Sequence, residues 1–296
     1  MKKKIFITGI SSQIIQATLA HIDFAEYEIY GLTRNPEKVS ITKNVTVVKG
    51  DIMNIETFRF FLKDCNFIIH AAAVTHSLNE KDYFEVNLEA TKNLIDLANK
   101  TGVSNFIYIS SNTAGEHSGA YGKSKFLAEN YIKNNFENWL ILRPAEVYGS
   151  GKKEGIEKFV SGVINSPLAL YPAGVPDKLY PVHLDDVARI FFEVIFVEKI
   201  TNEQITICGP GGFSFPELFQ LIKTYKRKHI YPISISKNLM FLIEKISRKI
   251  PFYMGIMPDQ IPRLYSRKNC GTTLYRQGKK TFENHLKERI FSEEKV

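Results

Sequence analysis

Cysteine and long apolar runs are scarce in this chain, and their scarcity excludes several classes of protein. The 296 residues include three cysteines, Cys65, Cys208 and Cys270, which lie far apart and form no C-x-x-C or Cys/His cluster. We therefore expect neither a disulfide framework nor a metal site. No run of about 18 apolar residues predicts a transmembrane helix, and the apolar stretch near the start is too short for a signal peptide. These features favour a folded protein of the reducing cytoplasm.

Negative charge is scarce towards the carboxyl end. The formal net charge is +8, and residues 221–296 carry 17 Lys and Arg against 6 Asp and Glu. This excess predicts a basic surface that is either simply solvated or attracted to anionic lipid headgroups or to a diphosphate substrate. Nucleic acid is not expected as a partner, because no recognition motif accompanies the charge.

An apolar stripe lies within this basic part, beside Lys245, Arg248 and Lys249. Its residues repeat at helical spacing and are Leu239, Leu242, Ile243, Ile246 and Ile250. We expect the stripe to pack against the rest of the domain, and contact with a membrane surface is the alternative.

Strand-like apolar runs alternate with helix-like segments through the first half of the chain. The strand-like runs are Lys4–Thr8, Glu28–Thr33, Thr46–Lys49, Phe67–His70, Asn105–Ser110 and Trp139–Arg143. The helix-like segments include Tyr83–Lys100 and Tyr121–Asn135. Buried strands separated by helices predict an α/β protein with a doubly wound parallel sheet, which binds ligands beyond the carboxyl ends of its strands.

The alternation loosens beyond Gly149-Ser150-Gly151, where prolines become frequent. We therefore divide the chain into a first domain, residues 1–150, and a smaller C-terminal α/β substrate lobe, residues 151–296. Residues 178–198 should pack back on the sheet of the first domain. Two further elements are assigned to the lobe, the strand Ile205–Cys208 and a helix near Phe215–Tyr225.

Tyr121 and Lys125 form a Tyr-x-x-x-Lys pair a short way after a strand-like run that ends in Ser110-Ser111. On a helix, residues four apart lie on one face. The Lys125 ammonium would then stabilise the Tyr121 phenolate and lower the pKa of the phenol from its ordinary value near ~10. The pair predicts an acid/base for redox chemistry, although the same spacing is common on surface helices.

The order and spacing of several motifs resemble the short-chain dehydrogenase/reductase superfamily, specifically its extended branch, the NAD-dependent epimerase/dehydratase family of nucleotide-sugar enzymes. The resemblance covers nearly the whole chain and implies that residues 1–150 form a dinucleotide-binding, Rossmann-like domain. The motifs are Thr8-Gly9, Gly50-Asp51, His70-Ala71-Ala72, Val86-Asn87, Ile109-Ser110-Ser111, Tyr121-Gly122-Lys123-Ser124-Lys125, Arg143-Pro144 through Val147-Tyr148-Gly149, and Val182-His183-Leu184-Asp185-Asp186-Val187-Ala188.

The resemblance implies roles for four catalytic residues. Tyr121 would be the acid/base, and Lys125 would hold the nicotinamide ribose and tune Tyr121. Ser111 would bind the substrate oxygen, and Asn87 would support a proton relay. Hydride transfer at a carbinol carbon needs one group to move the hydroxyl proton and another to fix the oxygen. The alternatives are a residue that caps local backbone for Ser111 and a surface helix residue for Asn87.

The cofactor loop departs from the family turn Thr-Gly-x-x-Gly-x-x-Gly, because Ser12 and Ile15 replace two glycines. Ser12 would still offer its amide and hydroxyl to a phosphate, whereas Ile15 demands a wider gap between helix and strand. Arg34 follows the second strand and slightly favours NADP over NAD, since a guanidinium suits the extra phosphate. Asp51 would contact the adenine amino group. The cofactor-binding residues that we expect are Thr8, Gly9, Ser11, Ser12, Gln13, Ile14, Arg34, Asp51, Ile52, Ala71, Ala72, Ala73, Tyr121, Lys125 and Pro144.

The function that the resemblance implies is an NAD(P)-dependent epimerase or 4-keto-reductase in surface-polysaccharide synthesis. Its substrate would be a sugar nucleotide or a lipid-carrier-linked sugar, and the short run between Ser111 and Tyr121 suggests an open pocket that suits a bulky one. A dehydratase is less expected, because Asn112 and Thr113 follow Ser111 in place of an acidic pair. By analogy, a homodimer would form through Tyr83–Lys100 and Tyr121–Asn135.

The alternative is a catalytically weak, nucleotide-binding scaffold or assembly protein. The altered glycine turn and the motif Pro258-Asp259-Gln260 prompt this alternative, since the motif is similar to one in atypical family members related to a respiratory complex I accessory subunit. The alternative is opposed by the presence of Ser111, Tyr121 and Lys125 together, because a scaffold does not need a phenol and an ammonium on one helical face.

Overall fold

Eight parallel strands form one large sheet in this computed structural model, which describes residues 2–40, 44–151, 155–166, 168–226, 231–249, 258–268, 270–271 and 274–293. The strands of the described residues are β1 (Lys3–Thr8), β2 (Tyr27–Thr33), β3 (Val45–Lys49), β4 (Phe67–His70), β5 (Asn105–Ile109), β6 (Trp139–Pro144), β7 (Val147–Tyr148), β8 (Leu168–Pro172), β9 (Val182–His183), β10 (Glu203–Cys208), β11 (Tyr231–Ile235) and β12 (Tyr275–Gln277). Across the large sheet the order is β3-β2-β1-β4-β5-β6-β10-β12, while β8 pairs with β11 and β7 with β9.

The strand order reverses beside β1. The chain runs outward from β1 through β2 to β3 and then crosses back, so that β4 lies on the other side of β1. In open parallel sheets, ligands bind in the crevice at such a reversal, beyond the carboxyl ends of the strands. Thr8 and His70, paired at the ends of β1 and β4, mark this crevice.

The α-helices of the described residues either cover the two faces of the large sheet or lie in the C-terminal part. They are α1 (Gln13–Leu19), α2 (Glu80–Phe84), α3 (Ala90–Thr101), α4 (Gly119–Asn135), α5 (Gly155–Asn165), α6 (Leu184–Phe192), α7 (Phe215–Lys226), α8 (Lys237–Lys249), α9 (Gln260–Tyr265) and α10 (Phe282–Glu293). Along β1, Ile5 and Ile7 are buried in a core with α1 and α6, while Phe6 is buried in a core with α3 and α4. Burial on both faces explains why the strands appear in the sequence as nearly continuous apolar runs.

The α/β class, the parallel sheet and the six strands predicted in the first half are confirmed. The predicted helix Tyr83–Lys100 is divided by a π-helical turn, Glu85–Glu89, which separates α2 from α3. One assignment is wrong: Ile205–Cys208 belongs to β10 of the large sheet and not to the lobe. The reason is that Ile205 and Ile207 are buried in the core that also holds Leu140 and Leu142 of β6.

The C-terminal part has a core of its own beside the large sheet. This core joins Val160 and Val163 of α5, Leu218 of α7 and Leu286 of α10. Helix α6, within residues 178–198, packs on the sheet as expected. The division of the chain at residue 150 stays a prediction.

Cys208 and Cys270 form a disulfide that spans 62 residues, so the expectation of unpaired cysteines is wrong. The two cysteines meet because β12 returns alongside β10, where Gly278 donates its backbone N–H to the Cys208 carbonyl at 2.8 Å. Cys65 is free and buried.

The apolar stripe of α8 does not pack as expected. Leu239, Leu242 and Ile246 are exposed, because the helix turns Met240 and Ser247 inward instead. Ile250 lies outside the described residues. Among the residues that the structure describes, no helix is long and apolar enough to span a membrane. The same residues contain no group of three or more His, Cys, Asp or Glu side chains that is arranged to hold a metal ion.

Candidate active site

The predicted cofactor residues lie along one edge of the large sheet. Gly9 follows β1, Arg34 follows β2, Asp51 follows β3 and Ala71 follows β4. At the strand-order reversal, Gly9 has a φ of +69°, and a Cβ added to it would lie 2.6 Å from the Ala72 backbone nitrogen. Only glycine fits this contact. The loops after β1 and β4 therefore meet backbone to backbone at the strand-order reversal, although two motif glycines are replaced.

Three of the predicted cofactor residues in the first loop, Ser12, Gln13 and Ile14, line a cleft of about 420 Å³. The same cleft is lined by Ser111, Tyr121, Pro144, His76, Glu146, Gln260 and Arg263. Ser12 is the N-cap of α1, and the Gln13 side-chain amide donates to the Ser150 carbonyl at 2.9 Å. The structure therefore brings the predicted cofactor loop together with Ser111 and Tyr121, whereas Lys125 and Asn87 do not line this cleft.

The remaining predicted cofactor residues do not line this cleft. Thr8 is fully buried; its hydroxyl shares a hydrogen bond of 2.6 Å with His70 and accepts one of 3.2 Å from the Ala72 amide. Ile52 is buried and Arg34 is exposed, whereas Ser11, Asp51, Ala71, Ala72 and Ala73 are half-buried. Burial lowers the pKa of His70 to about 3, so this histidine is neutral and structural. His183 caps α6 by accepting from the Asp185 amide.

Ile15, which takes the place of a motif glycine, is buried in the core that joins α1 to α6 and the sheet. The wider gap between helix and strand that the sequence predicts stays a prediction.

Tyr121 lies in the first turn of α4, is buried, and lies with Ser111 in the wall of the cleft. Burial is the largest effect on the Tyr121 pKa and raises it, while the Arg263 guanidinium and the Ser111 hydroxyl lower it. The Asp259 carboxylate raises it further. The Ser111 hydroxyl also lies 3.0 Å from that of Thr113, which fixes the Ser111 side chain at the cleft wall.

Lys125 lies on the same face of α4, one turn further along, and is fully buried. Its ammonium donates to the Ile109 carbonyl at 2.8 Å and lies 4.4 Å from the centre of the Tyr108 ring. Burial lowers the pKa of Lys125 to about 7, against the opposing effect of Glu129. The cation that stacks on Tyr121 is instead Arg263, with its guanidinium carbon 4.0 Å from the ring centre.

Asn87 lies in the π-helical turn after α2 and is buried. Its side chain accepts from the Val74 amide at 2.8 Å and donates to the Val74 carbonyl at 3.0 Å. It also donates to the Ser124 hydroxyl of α4 at 3.2 Å. Asn87 therefore ties the loop after β4 to α4, and its part in a proton relay stays a prediction.

Sequence reasoning missed two residues of the site, Asp259 and Arg263. Asp259 accepts from the backbone N–H groups of Ala120 and Tyr121, and its carboxylate pairs with Arg263. The motif Pro258-Asp259-Gln260 was a visible signal, but nothing in the sequence joins it to a helix that begins about 140 residues earlier.

A family model described as "NAD dependent epimerase/dehydratase family" matches residues 5–208. The chain belongs to this family. This member is 22% identical over 241 residues to the NADH-ubiquinone oxidoreductase 40 kDa subunit of Neurospora crassa, covering 77% of this chain and 62% of that protein. It is 33% identical over 195 residues to the UDP-glucose 4-epimerase of Vibrio cholerae, covering 57% of this chain and 60% of that protein.

The fold of this epimerase/dehydratase family member is shared by solved structures. A nucleoside-diphosphate-sugar epimerase from Staphylococcus aureus matches with a TM-score of 0.73 and 16% identity, over 97% of this chain and 100% of that one. By contrast, the chain spans less than two thirds of the length of the two curated relatives above.

Proposed function

We propose that this protein is an NAD(P)-dependent epimerase or 4-keto-reductase that acts on a sugar nucleotide or a lipid-carrier-linked sugar. The observation that carries the proposal is that Ser111 and Tyr121 lie together at the wall of the cleft, with Lys125 buried one helical turn away from Tyr121. The relationship to a UDP-glucose 4-epimerase supports a sugar substrate. A role in surface-polysaccharide synthesis in the cytoplasm is part of the proposal.

The chemistry assigned to these residues is proton transfer at a carbinol oxygen. When a sugar hydroxyl is oxidised, its proton passes to the Tyr121 phenolate as the C–H hydrogen leaves as hydride; in the reverse direction the phenol returns the proton. The Ser111 hydroxyl holds the same oxygen, so two side chains fix the reacting group. An epimerase and a reductase share this proton transfer. They differ in that an epimerase returns the hydride to the opposite face of the keto sugar, whereas a reductase releases the product.

A bound dinucleotide supplies the hydride acceptor and donor for this chemistry. The loop that holds Gly9, Ser12 and Gln13 would bind its diphosphate, and Lys125 would hold the nicotinamide ribose. Arg34 is exposed beyond β2, where it can meet the extra phosphate of NADP. We propose a modest preference for NADP on this ground.

A second cavity supports a bulky substrate. It measures about 460 Å³, is mainly apolar, and shares Glu146, Gly155, Ile156 and Gln260 with the catalytic cleft. Leu168 and Leu170 line it and are more than half exposed, on one face of the small sheet with Tyr231 and Ile233. This apolar route to the cleft favours a lipid-carrier-linked sugar. The basic C-terminal part would bind the anionic membrane surface from which such a substrate is delivered.

A homodimer through α3 and α4 remains a proposal from analogy.

Two measurements test the proposal. The first is titration of the purified protein with NADPH, NADH, NADP⁺ and NAD⁺, followed by nicotinamide fluorescence for the reduced forms and by melting temperature for all four. We expect at least one form to bind, and NADPH over NADH if Arg34 acts as proposed. Absence of binding at millimolar concentration would favour the scaffold alternative, which the relationship to the complex I subunit keeps open.

The second measurement is turnover of a panel of UDP-sugars, the corresponding 4-keto sugars and prenyl-diphosphate-linked sugars. Tyr121→Phe removes the group that carries the proton, and we expect it to lower kcat by about 10²- to 10⁴-fold. Tyr131→Phe is the matched control, because Tyr131 lies on the same helix but bonds the surface residue Asp96. Equal activity of the two variants would refute the role of Tyr121.

A further inference from the structure

Arg263 of α9 stacks on the catalytic tyrosine. Its guanidinium carbon lies 4.0 Å from the centre of the Tyr121 ring and 5.6 Å from that of Tyr83. The same group donates to the Thr75 carbonyl at 3.1 Å and to the Tyr83 hydroxyl at 3.3 Å. A planar cation held between two aromatic rings and a carbonyl has little freedom to move.

Asp259 anchors this arginine to the helix that carries Tyr121. Arg263 donates to its carboxylate at 2.6 Å through Nε, and Asp259 accepts from the backbone N–H groups of Ala120 and Tyr121. Gly119 makes room for the contact, because a Cβ at that residue would lie 2.5 Å from the carboxylate. One carboxylate thus caps the N-terminus of α4 and sets the position of the guanidinium over the ring.

We propose that Arg263 is a positioning residue for Tyr121, and that the Asp259–Arg263 pair holds the phenol in place and favours its ionisation. The proposal rests on the assignment of Tyr121 as the acid/base under the proposed function. Arg263 carries a fixed positive charge at any working pH, and it faces the ring that must become negative. Lys125 points away from Tyr121 to the Ile109 carbonyl, so the arginine supplies the adjacent charge.

Other titratable groups also surround Tyr121, and the charges among them decide whether its pKa is raised or lowered. They are Tyr83 of α2, Tyr108 of β5, Lys125 of α4, Asp259 before α9, and His76 and Glu146 of the cleft. Arg263 lowers the Tyr121 pKa more than Asp259 raises it. Removal of Arg263 would take a positive charge away from the phenol and would leave the Asp259 carboxylate beside it without a counter-ion. Both the lost charge and the unpaired carboxylate would disfavour the phenolate.

The test is a titration of the phenol that needs no substrate. Protein labelled with ¹³Cζ-tyrosine is followed by NMR from pH 7 to 11.5, and the Tyr121 signal is assigned as the one absent from Tyr121→Phe. We expect Arg263→Met to raise the apparent pKa of Tyr121 by about one pH unit, which is a tenfold smaller phenolate to phenol ratio at a given pH. Arg263→Lys keeps the charge without the planar stack and should give a smaller shift.

Arg267→Met is the matched control, because Arg267 is an exposed arginine of the same segment. In this variant the Tyr121 signal should titrate as in the wild type. Circular dichroism at each pH shows whether a variant stays folded. If Arg263→Met unfolds, hydrogen exchange of Ala120 and Tyr121 in Arg263→Lys replaces the titration, and faster exchange than in Arg267→Met is expected. An unchanged Tyr121 titration in folded Arg263→Met would overturn the proposal, whatever the enzyme turns over.

Discussion

Helix α4, which carries Tyr121 and Lys125, is held on two sides by different chemistry. On the side that faces the sheet, Lys125 and Glu129 are fully buried, and Glu129 pairs with Arg143 of β6. On the side that faces the C-terminal segment, Asp259 and Arg263 contact the first turn. The inner contacts join neighbouring elements of the sheet fold, whereas the outer ones come from a segment far along the chain.

This difference assigns different tasks to the two sides. The inner side fixes the helix against the sheet through polar groups that no water reaches, so the loss of one partner leaves a buried charge. The outer side places charge beside Tyr121 and lies at the cleft. We therefore expect inner substitutions to act mainly on stability and outer ones mainly on the site.

The largest effect should come from breaking the inner ion pair. Arg143 donates to Glu129 at 2.8 Å through Nε and also through Nη2, and both side chains are nearly inaccessible. Glu129→Gln leaves the guanidinium with a neutral partner, and we expect a loss of about 3 to 5 kcal/mol in the free energy of unfolding by urea. The control is Glu56→Gln, which breaks the exposed pair with Arg59 and should cost at most about 0.5 kcal/mol.

A smaller loss is expected on the outer side. Asp259→Asn weakens the cap of α4 and the ion pair with Arg263 but keeps the side-chain shape. We expect about 1 to 3 kcal/mol less stability, with faster hydrogen exchange confined to the first turn of α4. A uniform rise in exchange over the whole domain would contradict the local role that the contacts of Asp259 indicate.

The two sides also differ in how far the sequence predicts them. Tyr121, Lys125 and Ser111 are predictable because a helical repeat and strand-end positions are local patterns, and the sheet strands are predictable because both of their faces are buried. Asp259 and Arg263 reach Tyr121 only after the chain has folded. The Cys208–Cys270 disulfide was missed for the same reason, since β12 is a short strand with no apolar run.

The orientation of the Lys125 side chain could not be predicted from the sequence either. Spacing alone places its ammonium on the same helical face as Tyr121, but in the folded chain the ammonium donates to the Ile109 carbonyl at the end of β5. Similarly, the sequence predicts that Ile15 must displace α1, and the structure shows that the isoleucine is buried in the core.

The smallest expected effect is a pH dependence of stability from Lys125, on the inner side of α4. Its folded pKa is about 7, below the value near ~10.4 of an unfolded lysine, so between these values the unfolded state binds more protons. Stability of the ligand-free protein should therefore rise with pH above 7, by about 1 to 2 kcal/mol up to pH 9 from this group. Lys125→Met should remove that rise in urea unfolding, whereas Lys123→Met, an exposed lysine of the same helix, should retain it. The same slope in both variants would mean that Lys125 stays charged in the folded protein at pH 9, and that its contact with the Ile109 carbonyl and the Tyr108 ring outweighs the cost of burying its charge.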